Sequence, residues 1–251
     1  MRERLSAYII TYNEEVNIRE ALDTVKWTDE IVVVDSFSTD RTVAICRKYT
    51  DKIFQYEFVG FGRLRNIAID HTSYDWILSV DADERVTDEL RREIIKELER
   101  GPSADAYYIP RKSHFLGHWI RHCGWYPDYR QPQLFNKQKG RYREDLVHEG
   151  FELNGKVGYL KNHILQYPFR NLNQFLQKQD RYSTLMVEEM IKRGRQFWMY
   201  QLITHPIFTF LKMFILRQGF RDGTIGLMLC GLYTYYTFIK YAKLWEKTRK
   251  Q

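Results

Sequence analysis

The chain has 251 residues, 44% of them hydrophobic, and a formal net charge of +7. This suits one large folded domain, or a domain with an appendage. The three cysteines, Cys46, Cys123 and Cys230, are odd in number and lack paired spacing, which argues against a disulfide framework and a thiolate zinc site. The charge is uneven: from Lys192 onward there are eleven Lys or Arg against Asp222 and Glu246, so the basicity belongs to the C-terminal quarter. A basic, aromatic-rich tail on a near-neutral body points to an anionic surface, either membrane or nucleic acid.

The opening MRERLSAYII enters a candidate strand within five residues and leaves no room for a secretory signal. The expected location is therefore cytoplasmic. Over the first hundred residues short apolar runs alternate with amphipathic ones, the pattern of βαβ units and a largely parallel sheet. Strands are expected near Leu5–Ile10, Glu30–Asp35, Lys52–Tyr56 and Asp75–Val80, with helices over Glu14–Val25, Asp40–Tyr49, Phe61–His71 and Thr87–Arg100. GPSAD, Gly101–Asp105, marks a break. Beyond it, short strands and loops such as DAYYIPR and PQLFNK replace the regular alternation.

From Asn171 the chain reads as helical, with long uncharged stretches over residues 196–211 and 223–239. Both fall short of the roughly 20 apolar residues that span a bilayer. The first contains Gln201, His205 and Pro206, and the second is rich in Tyr and Thr. With Lys and Arg at their flanks they predict interfacial helices on an anionic membrane surface, placing the protein peripherally on the inner face of the cytoplasmic membrane. The alternative is a helical hairpin packed on the catalytic domain or on a second copy, giving a homo-oligomer. Nucleic acid fits less well, because the basic residues bracket apolar runs instead of forming a continuous polar face.

In an open parallel sheet, ligands bind beyond the carboxyl ends of the strands. Three such ends carry polar clusters: TYNEE from Thr11, VVVDSFSTD around Asp35, and VDADE around Asp81 and Asp83. Tyr12 suits stacking on a base, Asn13 or Glu14 suits hydrogen bonds from it, and Asp35 suits its imide or ribose hydroxyls. Each string is also an ordinary helix start or cap. Asp81 and Asp83, two apart on a segment expected to be extended, can face one ligand. A hard cation, Mg²⁺ or Mn²⁺, completed by phosphate oxygens would remove their repulsion, while solvated turn acids are the plain alternative.

A calcium-binding EF-hand loop needs Gly where Val86 stands, and Gly60 and Gly62 lack the third glycine of a dinucleotide fingerprint. Arg63, Arg65 and Asn66 open the third helix, where cations suit an anionic diphosphate. His114, His118 and His122 fall at intervals of four, but Gly117 and Gly124 interrupt a helix there. They read as structural or acceptor-side residues rather than zinc ligands.

In order and spacing, TYNEE, VVVDSFSTDRT, GFGRLRN and VDADE resemble the nucleotide-sugar half of family 2 glycosyltransferases. The later GHWIRHCGWYPD, YREDLVHEG, GFRDGTIGL and KYAKLWEK resemble bacterial lipopolysaccharide core glucosyltransferases acting on inner-core heptose. The resemblance implies an α/β glycosyltransferase-A (Rossmann-like) mixed sheet over residues 1–170, with a nucleotide-sugar half (1–100) and an acceptor half (101–170). A helical, membrane-associating extension (171–251) would follow. It implies a UDP-sugar donor, a lipid-linked saccharide acceptor and a divalent cation. Thr11, Tyr12, Asn13, Glu14 and Asp35 would contact uracil and ribose, and Asp81 and Asp83 would hold ribose and metal.

Inversion by direct displacement needs a carboxylate base. Glu149 is the candidate, with Glu144 and Asp145 as competitors, and His148 is a candidate ligand for metal or phosphate. Where relatives often carry Arg-Leu-Phe the chain has Gln133-Leu134-Phe135, and Gln166-Tyr167 stands where a histidine often precedes the aromatic. Two other readings stay open: a non-catalytic nucleotide-sugar or glycan-binding scaffold, and transfer of another sugar to a different acceptor.

Overall fold

A computed structural model describes residues 2–144 and 150–249. The chain divides into two compact units, Met1–Arg111 with Asp128–Gln166, and Lys112–Pro127 with Tyr167–Gln251. Nothing in the sequence signals that residues 112–127 leave the first unit to join the C-terminal helices.

The first unit begins as β1 (Leu5–Thr11), α1 (Ile18–Val25), β2 (Glu30–Asp35), α2 (Thr42–Cys46), β3 (Ile53–Gln55), α3 (Phe61–Asp70), β4 (Trp76–Ser79), β5 (Glu84–Val86) and α4 (Asp88–Arg100). Then come β6 (Ala106–Tyr108) and β7 (Arg111–Phe115), which runs into the second unit, where β8 (His118–Trp119) follows. The first unit resumes with β9 (Leu134–Asn136), β10 (Gly140–Tyr142), β11 (Phe151–Leu153), β12 (Val157–Tyr159) and β13 (Ile164–Gln166). Among the described residues, seven of these strands form one sheet in the order β12-β6-β9-β4-β1-β2-β3. The expected strands and helices of the first hundred residues are all present, the sheet is mixed because β9 runs antiparallel between β4 and β6, and the fold is α/β.

The runs LSAYIIT and EIVVVD are buried on both faces, as central parallel strands require. The alternation of side chains sorts them: Ala7 and Ile9 join Leu22 of α1 and Leu90 and Ile94 of α4 on one face, while Tyr8 joins Leu64 and Ala68 of α3 on the other. Helix α4 starts where Thr87 Oγ1 accepts the Leu90 N–H at 3.2 Å, and it ends at Gly101, whose φ of 80° suits glycine.

At the opposite, amino edge, Glu30 ties strands together. Its carboxylate accepts from Ser6 Oγ at 2.5 Å, from Ser73 N and Oγ at 2.7 Å each, and from Lys52 Nζ. Burial works against the charge, but these donors win and hold the carboxyl at about 2. The folded value lies below the unfolded one, so the stability Glu30 contributes is present above about pH 5 and is lost as pH falls toward 2. In urea titrations Glu30→Gln is expected to cost about 2 kcal/mol at pH 7 and much less at pH 3. An equal cost at both values would remove this carboxylate as an acid-sensitive brace.

In the second unit β7 and β8 form a hairpin, so His114 and His118 sit on strands rather than on a helix. Helix α5 (Leu172–Lys192), capped by Asn171 accepting the Gln174 N–H at 2.8 Å, is followed by α6 (Gln201–Leu211) and α7 (Gly223–Arg249). Phe115, Phe175 and Leu229 form its core. Asp222 accepts the His122 N–H at 2.9 Å and lies 2.9 Å from His122 Nδ1. Among the described residues no helix is long and apolar enough to cross a membrane.

Candidate active site

Strands β1, β2, β3 and β4 are parallel, so their carboxyl ends share one edge. The register sets Thr11 beside Asp35 and Asp35 beside Gln55, a polar row across three strand ends. Thr11 is buried, and its hydroxyl has no hydrogen-bond partner.

Asp35 is fully buried and accepts from Ser38 N and Gln55 Nε2 at 2.9 Å each and from Ser38 Oγ. It shapes the loop after β2 from within. Asn13, in the left-handed region at φ 53°, donates its N–H to Ser38 Oγ and accepts the Thr39 N–H, both at 2.8 Å. Glu14 N donates to Thr42 Oγ1, and Glu14 Oε2 accepts from Asn17 Nδ2 at 2.6 Å. These two residues therefore stitch the loops after β1 and β2 together, while Tyr12 between them and the strand stays half exposed.

The VDADE segment departs from the extended form expected. It makes a tight turn: Glu84 N donates to the Asp81 carbonyl at 2.9 Å, and Asp81 N donates to Glu84 Oε2 at 3.0 Å. The turn leaves Asp81 and Asp83 partly exposed and turns Glu84 completely inward. Glu84 accepts from Arg111 Nε at 2.6 Å and from Gln133 Nε2 at 2.9 Å. Burial pushes its carboxyl up to about 7; Arg111 opposes this, and Asp81 and Asp83 add to it. Burial would lower the Arg111 guanidinium, but Glu84 and Asp128 override that and raise it. The two shifts pull in opposite senses for the pair, and because every contact on Glu84 is a donor, the ionised pair is the form this geometry is built for.

Arg65 and Arg63 are separated by the helix. Arg65 is buried and donates from Nη1 to Ser79 Oγ at 3.1 Å and from Nη2 to Asp81 Oδ1 at 2.8 Å, whereas Arg63 faces outward. A Cβ at Gly62 would sit 2.0 Å from the Arg143 carbonyl, so glycine is needed for α3 to close on the β10 end. That contact brings Glu144 to Asn66, whose Nδ2 lies 3.3 Å from its Oε1. Asp145, His148 and Glu149 lie outside the described residues.

For a cation, the chemistry of the donor set fits: two partly exposed carboxylates on one turn, all oxygen. Among the described residues no three His, Cys, Asp or Glu side chains form a metal cage. Magnesium commonly takes one or two carboxylates and finishes its shell with phosphate and water. Sequence reading did not anticipate the buried cluster of Glu84, Arg111 and Gln133 at this turn. The signal for Glu84 was its place in the third-acid position of VDADE; for Gln133, it was the departure from the family's arginine.

A mixed sheet with its polar groups gathered at one carboxyl edge is the architecture of glycosyltransferase-A enzymes. The structure of S. aureus TarS shares it, with a TM-score of 0.51 at 19% identity, covering 88% of this chain and 46% of that one. TarS 1–349 in complex with UDP-GlcNAc gives 0.50 at 15% identity, covering 98% of this chain and 92% of that one. The chain belongs to glycosyl transferase family 2, whose model matches residues 6–167. It is 29% identical to the lipopolysaccharide core biosynthesis glycosyltransferase LpsC of Rhizobium meliloti, over 97% of this chain and 92% of that protein. An uncharacterized glycosyltransferase of Rickettsia conorii is 28% identical over the whole chain and 93% of its own length. The protein is a glycosyltransferase.

Proposed function

We propose that this glycosyltransferase moves a sugar, glucose, from a UDP-sugar to a lipid-linked saccharide such as the lipopolysaccharide inner core, with inversion at the anomeric carbon. The observation that carries the donor side is the convergence of Thr11, Asp35, Arg65 and Asp81 on one sheet edge, with the guanidinium of Arg65 held beside a carboxylate. Tyr12 and Thr11 offer a face and a hydroxyl to the nucleoside, and Arg65 offers charge to the diphosphate. LpsC, related over nearly its full length, supports the acceptor class.

Asp81 and Asp83 would hold the divalent cation, which when bound supplies charge to the leaving diphosphate. Glu149 is proposed to take the proton from the acceptor hydroxyl, whose oxygen then bonds to the anomeric carbon as the bond to the diphosphate breaks and UDP departs. Glu144, hydrogen-bonded to Asn66, and Asp145 are the competing bases.

The second unit supports action at a membrane surface. Met199, Ile203, Ile207, Leu211 and Ile215 recur every four residues and are all exposed, with Arg193, Arg195, Lys212 and Arg217 around them. An outward apolar stripe with basic flanks suits the interface of an anionic bilayer. A second copy of the chain is the other partner this face would accept.

The test is binding and slow hydrolysis across UDP-, GDP- and CMP-sugars, with and without Mn²⁺. Metal-dependent preference for a UDP-sugar is expected, and in the same assay Glu149→Gln keeps donor binding while transfer falls about a hundredfold or more. Equal indifference to all the nucleotides would favour the non-catalytic scaffold, and unimpaired transfer by Glu149→Gln would move the base to Glu144 or Asp145.

A further inference from the structure

Tyr108, Tyr129 and Tyr159 form an aromatic cluster in the first unit. Tyr108 ends β6 and Tyr159 ends β12, and the two residues are register partners. Their rings stack with centroids 5.4 Å apart and planes 19° from parallel, and Tyr129 stands edge-on to both at 6.3 and 5.5 Å. Tyr107, one residue earlier, is buried in the core instead. A Cβ at Gly158 would lie 2.7 Å from the Tyr107 ring, so glycine lets β12 close on β6 and bring Tyr159 over Tyr108. Yet Tyr159 is 63% exposed and Tyr129 40% exposed. Rings that pack against one another while keeping this much surface in water present a contact face.

Topology places that face beside the reaction centre. β12 is parallel to β6, β6 is antiparallel to β9, and β9 is antiparallel to β4. The carboxyl ends of β4, β6 and β12 therefore lie on one edge, the edge that carries Asp81 and Asp83. Strand spacing puts the ends of β6 and β12 about 10 and 14 Å from the end of β4. Tyr129 also follows Asp128 directly, and Arg111 holds Asp128 at 3.1 Å while pairing with Glu84 of the VDADE turn. One buried guanidinium thus links the aromatic face to the carboxylate turn.

We propose that Tyr108, Tyr129 and Tyr159 form an acceptor subsite, a platform on which a pyranose ring of the saccharide acceptor stacks a few residues away from the reacting hydroxyl. The ring faces match the C–H face of a sugar and the phenol hydroxyls its polar rim. Three rings make too small a patch for a stable protein interface by themselves, and continuity with the catalytic edge favours the substrate. The proposal rests on the reading that the acceptor is a saccharide.

The experiment measures, by ligand-observed NMR titration, binding of UDP and of the oligosaccharide released by deacylating inner-core lipopolysaccharide. It compares wild type, Tyr159→Ala, Tyr159→Phe and the double variant Tyr129→Ala with Tyr159→Ala. Tyr159→Ala is expected to weaken the oligosaccharide about tenfold while UDP affinity is retained and Tyr159→Phe stays within about twofold of wild type. Equal oligosaccharide affinity in wild type and the double variant overturns the platform, as does an absence of oligosaccharide binding by a wild type that binds UDP. A wild type that binds no UDP would instead defeat the donor reading. A dimer that Tyr159→Ala converts to monomer, with oligosaccharide binding intact, would assign the face to a second copy and overturn the proposal.

Discussion

Asp83→Ala is expected to lower metal-dependent transfer about a thousandfold with the fold intact, the scale of losing electrostatic stabilisation at a leaving group. Asp83 is partly exposed on the turn between β4 and β5, so its removal opens no cavity in the core. Asp81→Ala should do more damage to the site, because Arg65, buried at the start of α3, loses the carboxylate it holds at 2.8 Å. Initial rates against Mn²⁺ concentration give the first readout, and Mn²⁺ binding in the presence of UDP, followed by electron paramagnetic resonance, gives a second that does not depend on turnover. Full transfer by Asp83→Ala with unchanged Mn²⁺ affinity would leave the two aspartates as solvated turn acids.

Arg111→Met should destabilise the first unit by about 3–5 kcal/mol, because it strands the fully buried Glu84 without its countercharge. Replacing the pair together, Glu84→Leu with Arg111→Met, should recover much of that loss, since two apolar groups need no charge partner. In Arg111→Met the folded Glu84 carboxyl moves further up, so ionising it costs stability, and the penalty is largest near pH 8 and shrinks toward pH 5 as the group takes up a proton. Urea unfolding of the single and double variants at the two pH values measures all of this. A single-variant cost below 1 kcal/mol would mean that water or Gln133 satisfies Glu84 well enough alone.

The residues of the candidate site were legible in order, but their hydrogen-bond partners were not. TYNEE and the Asp35 loop were expected at the strand ends, facing a nucleotide; what local reading did not show is that Asn13, Glu14 and Asp35 also hydrogen-bond Ser38, Thr39, Thr42 and Gln55. The acids of VDADE were expected on an extended segment with two facing one ligand. The tight turn buries the third acid, and no local pattern announces that, because its partners Arg111 and Gln133 stand 27 and 49 positions away. Gln133, noted as a departure from the family's arginine, donates to Glu84, where Arg111 already supplies the positive charge.

The sequence by itself determined the alternation of strands and helices, the buried central strands, the polar clusters at three strand ends and the basic, apolar C-terminal helices. Each is a local matter of side-chain period, propensity and turn chemistry read over a few residues. Only the tertiary structure decided that β9 runs antiparallel between β4 and β6, that Lys112–Pro127 joins the C-terminal helices, that Glu84 is buried on Arg111, and that Tyr108, Tyr129 and Tyr159 meet in one cluster. Those outcomes depend on burial and pairing between segments far apart in the chain, and that energy is set by which surfaces meet, which no stretch of sequence specifies alone.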